Sequence, residues 1–242
     1  MGKKEKRCKD DVLADSQYGN NWDHVAYDPE HRLVVSVVPG KRTAKNVEKL
    51  VADFKKRTGG RIMNLITSDE YKPYKKAILK AYGRKITPPA NGKRGRPKDS
   101  CRVPVKGLKY ATVHKTRQRG RVVKIVLQAI FGSKSDIEAA IETSAVSKTI
   151  NTAFIERHNG TDRNRNARKV RKSYRFSKDW DVHNAMTYFT MYSYNFCWPV
   201  RTLRVQDRDD RWLSRTPAMV AGLTDHIWSL REWLTYPVVQ LT

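Results

Sequence analysis

From Arg157 to Lys178 the chain carries nine arginines and lysines against a single acid, Asp162. No proline interrupts the run, and Ile155, Ala167 and Val170 give it a thin apolar stripe. These features predict one long basic helix within residues 151–178. At about 1.5 Å per residue, Asn151 to Lys172 would span roughly 33 Å. One acid, Glu156, stands at its head, and helical spacing places Glu156, Asn159, Gly160 and Arg163 on one face. A carboxylate beside a glycine and an arginine on so basic a helix suits a place where metal and phosphate meet. The plainer alternative is a solvated basic helix whose glutamate neutralises its neighbours.

The rest of the composition points the same way. Across 242 residues, 49 Lys and Arg against 24 Asp and Glu give a formal net charge of +25. That excess calls for a polyanionic partner, and nucleic acid is the default. With 39% hydrophobic and 10% aromatic residues the chain can fold around a core. No apolar run reaches the roughly 20 residues of a membrane span, and the N-terminus lacks the apolar stretch of a signal peptide. Cys8, Cys101 and Cys197 are odd in number and scattered. They fit neither a disulfide framework nor a zinc site, and the expected location is a reducing cytoplasm.

In chain order, Trp22–Tyr27 and Leu33–Val38 read as a hairpin turned by Asp28, Pro29, Glu30 and His31. Thr43 caps a helix with Val47, Leu50, Val51 and Phe54 on one face, stopped by Gly59 and Gly60. A strand from Arg61 to Thr67 delivers Asp69 just past its end, where α/β ligand sites collect. A helix with Tyr74, Ile78 and Tyr82 follows, completing β-β-α-β-α. Residues 84–107 read as a basic loop, and its centre, Lys93–Lys98, resembles an AT-hook in which Arg94 and Arg96 would enter a narrow minor groove. Lys109–His114 and Val122–Phe131 read as strands joined by the basic turn KTRQRGR. Ser135 with Glu138 reads as a capping box for a short helix carrying Ile137, Ala140 and Ile141. Beyond the basic run, Val182, Ala185, Met186, Phe189, Tyr192 and Phe196 keep a helical period as a core helix. Thr216-Pro217 and Ser229 with Glu232 start two short helices, with Trp228, Trp233 and Leu234 docking the tail.

Two acids stand out by context. Hard divalent cations take carboxylate oxygens, and two-metal phosphoryl transfer needs acids converging from different elements. A strand-end aspartate, Asp69, with a helix-borne glutamate, Glu156, suits that chemistry. As a structural alternative, Asp69 could cap the helix beginning near Tyr71.

At these residues a resemblance becomes specific. TSDEYKPY, IERHNGTDRNRNARKVRKSYRFSK, YNFCWPVRTLR and TPAMVAGLTDHIWSL resemble, in the same order, the catalytic domain of bacterial transposases of the insertion sequence one family. The resemblance covers nearly the whole chain. It implies an α/β fold with a ribonuclease-H-like mixed sheet and flanking helices, over residues 1–198, and a helical tail over residues 199–242. It makes Asp69 and Glu156 the second and third acids of a DDE triad, holding two Mg²⁺ ions for which Mn²⁺ can substitute. Arg157, Asn159, Arg163, Arg165, Arg168, Lys169, Arg171 and Lys172 would then face DNA. The implied partners are the duplex ends of an insertion sequence, its target, and further copies of the chain, with no membrane.

The sequence departs from that pattern at its start. The family's first aspartate lies in a strand with a motif like DExWSFV, immediately before the segment that GKKEKR resembles. Neither that aspartate nor the preceding DNA-binding module is in the sequence, and Asp10, Asp11, Asp15, Asp23 and Asp28 are not expected to replace it. The expected function is therefore metal-dependent DNA cleavage and strand transfer, impaired or absent in this chain. The alternative is a non-catalytic remnant that binds DNA and competes for ends or oligomer contacts. An RNA-binding reading lacks any RNA-recognition signature.

Overall fold

In chain order the elements begin with β1 (His24–Asp28), β2 (Leu33–Val38), α1 (Ala44–Arg57), β3 (Ile66–Ser68) and α2 (Pro73–Tyr82). They continue with β4 (Gly83–Ile86), β5 (Cys101–Pro104), β6 (Tyr110–Gln118), β7 (Arg121–Phe131) and α3 (Lys134–Glu142). After these come α4 (Ala153–Arg165), α5 (Trp180–Cys197), β8 (Val205–Gln206), β9 (Trp212–Leu213), α6 (Pro217–Val220) and α7 (Leu230–Thr235). This is a computed structural model that describes residues 22–87, 99–149, 152–170 and 174–237. The architecture is mixed α/β. The described residues fall into two compact units: those up to Arg42 together with those from Phe154 onward, and Thr43–Ala153.

In the second unit, β3 pairs parallel with β6, and β6 pairs antiparallel with β7, giving a mixed sheet in the order β3-β6-β7. The amphipathic pattern of α1 forms as the sequence predicts. The Thr43 hydroxyl accepts the Asn46 N–H at 3.3 Å, and Val47, Leu50 and Val51 are buried. Past the helix, Gly59 and Gly60 take φ of 60° and 75°, a left-handed reversal that other residues adopt only with strain. Val47 and Val51 join Ala77, Ile78 and Tyr82 of α2 against Leu108, Tyr110 and Phe131. Each large apolar side chain fully buried there contributes about 1.5–3 kcal/mol. A smaller cluster of Ala111, Val113 and Ile137 brings α3 to the sheet.

Three expectations change in this unit. The predicted strand 61–67 contracts to the three residues of β3. The ends of the predicted 84–107 loop pair with each other as β4 and β5, with Gly83 opposite Pro104 and Ile86 opposite Cys101. Finally, α3 is capped by Ser133, whose hydroxyl accepts the Asp136 N–H at 3.0 Å, rather than by Ser135 with Glu138. Starting the helix two residues earlier adds about half a turn while keeping Ile137 inward.

In the first unit, β1 and β2 form the predicted hairpin. Asp28 Oδ1 accepts the Glu30 N–H at 2.9 Å, and Arg32 closes the turn at φ 56°. Val34 and Val37 of β2 pack on Met191 and Tyr194 of α5. The buried face of α5 is not the predicted apolar stripe: Thr187, Met191, Ser193, Tyr194 and Asn195 are buried, while Val182 is exposed. Asn195 explains the rotation. Its side-chain amide exchanges two hydrogen bonds with the Val34 backbone, at 3.0 and 2.8 Å, satisfying a strand edge that a purely apolar face would leave unpaired. The stripe residues Phe189 and Phe196 instead receive Trp233 and Trp228, at centroid distances of 5.3 and 4.8 Å. Both tail tryptophans dock as predicted, but Leu234 is exposed. The capping box at Ser229 and Glu232 forms. Among the described residues no helix is long and apolar enough to cross a membrane.

Candidate functional site

Asp69 follows β3 directly and is exposed. The parallel β3–β6 pairing makes this the carboxyl end of a strand in an α/β arrangement, where ligand sites collect. Asp69 does not cap α2, because Lys72 occupies the N-cap and Pro73 opens the helix. Its Oδ1 instead accepts the Tyr71 N–H at 3.3 Å, an Asx turn that fixes the loop between strand and helix. Beneath it, Ser68 Oγ and the Tyr110 hydroxyl lie 2.7 Å apart. Burial raises the Tyr110 phenol; the Ser68 hydrogen bond lowers it and the Asp69 charge raises it further. The adjacent Glu70 is paired with His114 at 2.7 Å.

The long basic helix is shorter than the sequence suggests. It ends at Arg165, so α4 is about 20 Å long, and Asn166 breaks it with extended backbone angles. The Asn166 side chain accepts the Arg168 N–H at 3.1 Å, starting a separate 3-10 turn over Ala167–Lys169. The cause lies in what the segment buries. In place of an apolar stripe, α4 and the residue after it turn His158, Asp162 and Asn166 inward at four-residue spacing. The segment is thus anchored by polar contacts, which set where it bends.

Those contacts redistribute the charges. The Lys169 side chain, expected to face DNA, is 7% exposed and sits between two carboxylates, with Nζ 2.7 Å from Asp162 and 2.9 Å from Asp23. Thr190 donates to the other Asp162 oxygen at 3.1 Å. His183 faces Asp23 at 3.6 Å, beyond hydrogen-bond distance. Burial alone would raise the Asp23 carboxyl, but His183 and the Lys169 ammonium outweigh it and hold it below the usual carboxylate range. Arg165 is also turned inward, its guanidinium 3.9 Å from the Trp198 ring centroid and 4.9 Å from that of Tyr194. His158 stacks on Tyr27 at 4.9 Å and points Nε2 at the Met191 sulfur, 3.2 Å away. Burial, then the nearby Arg165 and Lys169, pushes its pKa down to about 4, so it is a neutral core residue at ordinary pH. This network escaped the sequence reading. The available signal was Asp162, the one acid in a cationic run.

The opposite face of α4 is turned outward. Glu156, Arg157 and Arg163 are exposed, Asn159 is half-buried, and Arg168 is exposed on the following turn. Glu156 lies in the first turn, where the helix dipole favours a carboxylate. A Cβ at Gly160 would meet nothing within 4 Å, so the fold itself does not require glycine there. Arg168 of the 3-10 turn, with Tyr174, Arg175, Phe176, Lys178 and Asp179, lines an open cleft of about 530 Å³. Arg94 and Arg96, with the AT-hook-like loop, and Arg171 and Lys172 lie outside the described residues.

Asp69 belongs to the Thr43–Ala153 unit and Glu156 to the other. Among the described residues, no group of three or more His, Cys, Asp or Glu is placed to hold a metal ion. Comparison with protein-family models, with curated proteins and with solved structures finds no match.

Proposed function

We propose that this chain is a DNA-transposition protein of the DDE type, built on a ribonuclease-H-like sheet, with Asp69 and Glu156 as two of its metal-holding acids. The observation that carries this reading is Asp69 itself: an exposed carboxylate at the carboxyl end of β3, a strand parallel to its neighbour. Support comes from the exposed face of α4, where Glu156 stands beside Arg157 and Arg163 in a chain of net charge +25. The ordered run of transposase-like motifs supplies the family.

The donor chemistry suits magnesium or manganese, which take one or two carboxylates and complete their shells with water and substrate phosphate. When bound, such ions supply Lewis-acid polarisation of the phosphodiester and activate the attacking oxygen. The chain's own residues do the rest. Arg157, Arg163 and Arg168 hold DNA through phosphates, which positions it without reading sequence. The Asx turn at Asp69 holds that carboxylate's loop in place before any DNA arrives.

The test is a strand-transfer and cleavage assay with magnesium or manganese. It compares this chain with one extended upstream through an Asp-Glu-x-Trp strand, and each with its Asp69→Asn and Glu156→Gln variants. Activity in the extended chain that both substitutions reduce to background supports the reading. An inert pair of chains, with DNA binding indifferent to both substitutions, overturns it.

A further inference from the structure

The sequence reading treats KTRQRGR as a basic turn; the structure makes it a β-ribbon. Residues Lys115–Gln118 continue β6, and β7 resumes at Arg121, leaving only Arg119 and Gly120 in the turn. Their φ values of 48° and 80° are both positive, as a two-residue type I′ hairpin turn requires. Only Tyr110–Thr112 of β6 pairs with β3. Beyond that, among the described residues, Val113–Gln118 pairs with β7 alone, as a two-stranded ribbon about 20 Å long.

Two properties of this ribbon call for a partner. From Lys115 to Lys124 it holds five cations, and no acid occurs between His114 and Ser135. Within it, Val122, Val123, Ile125, Val126 and Leu127 are all 39–53% exposed. Clustered apolar exposure of this kind marks an interaction surface, and the uniform positive charge selects a polyanion over an ordinary protein face. Cross-strand register pairs Thr116 with Lys124 and Gln118 with Arg121, so two cations and two hydrogen-bonding side chains share one face. A register shift between Thr116 and Arg117 adds local twist.

We propose that this ribbon is a DNA-binding arm that lies in the major groove of a duplex. That groove, about 12 Å wide and about 8.5 Å deep, admits a two-stranded β-ribbon. Arg119, Arg121 and Lys124 contact phosphates and guanine edges, and the exposed valines, isoleucine and leucine meet thymine methyls and sugars. The proposal rests on the transposition reading for its substrate class, and adds a second contact region, in the unit that does not contain α4.

The test is a titration of the full chain against a mixed-sequence duplex, from roughly 50 to 200 mM salt. The Arg119→Ala, Arg121→Ala, Lys124→Ala triple variant is expected to lower the slope of log affinity against log salt by about 2 to 3. At ~100 mM salt it should lose roughly a hundredfold in affinity. Its melting temperature should match the parent's, and Arg119→Lys, Arg121→Lys, Lys124→Arg should restore the slope. Affinity within twofold of the parent and an unchanged slope in the triple-alanine variant would overturn the ribbon proposal alone. So would a parent chain that prefers single-stranded RNA or phosphatidylserine vesicles, with the triple variant losing that binding instead. A parent that binds no duplex at all would sink the transposition reading as well.

Discussion

The segment 153–169 and the β6–β7 ribbon each carry five cations, yet the structure uses their charges in opposite ways. In the first, Lys169 is enclosed by Asp162 and Asp23, and Arg165 packs on Trp198 and Tyr194. In the second, Arg119, Arg121 and Lys124 are all exposed. The difference comes from acids and aromatics within reach. An aspartate seven residues before a lysine, joined by Asp23 from far along the chain, turns a would-be phosphate contact into internal ion pairs. Between Lys115 and Lys124 the ribbon carries no acid of its own, and Arg119, Arg121 and Lys124 remain on the surface. Counting cations along a stretch therefore measures its charge but not what that charge can touch.

The sharpest way to break this contrast is Asp162→Ala. It leaves the buried Lys169 ammonium with Asp23 as its remaining carboxylate, so the expected cost is about 3 kcal/mol, the low end of what breaking a buried pair costs. Urea unfolding of the variant should show that loss; a cost below about 1 kcal/mol would mean that Lys169 escapes to solvent and the pair is not structural.

Acid should act on the same region next. The His158 pKa of about 4 lies below its unfolded value of about 6.5, so the fold favours the neutral ring. Its contribution is complete above about pH 6.5 and disappears as pH falls toward 4, a loss of roughly 3 kcal/mol. Asp23, whose pKa is also lowered, adds a further loss in the acid range below its unfolded value. Unfolding midpoints across that range should fall accordingly, and His158→Phe should flatten the first part of the curve.

Gly160→Ala probes the outer face of α4. Replacing a mid-helix glycine that has open space around it should stabilise the chain by about 0.5–1 kcal/mol. If DNA approaches the backbone there, affinity drops while stability rises; the two measurements moving together would show that the glycine has no binding role. Smallest of all is the effect on stability of the ribbon triple variant, expected within about 0.5 kcal/mol of the parent. A larger loss would mean that the ribbon's cations are held internally, and the contrast with α4 would vanish.

Local signals were legible where the chain decides structure within a few residues. The Thr43 cap, the Asp28 turn, the Ser229 capping box and the strand-end place of Asp69 all follow from short-range hydrogen bonding and periodicity. Where partners lie far apart in sequence, local pattern does not show the outcome. Asn195 turns α5 toward β2 because two Val34 backbone groups, 161 residues away, need satisfying. The run predicted as one helix breaks at Asn166, and no pattern within the run shows that His158, Asp162 and Asn166 form its inward face.

The sequence by itself determined the excess of positive charge, the alternation of strands and helices, and the two acids worth testing. Only the tertiary structure decided which charges are spent internally and which stand outward. Burial depends on long-range neighbours: a lysine beside a distant aspartate is a core residue, and the same lysine on an unaccompanied ribbon is a hand for phosphate.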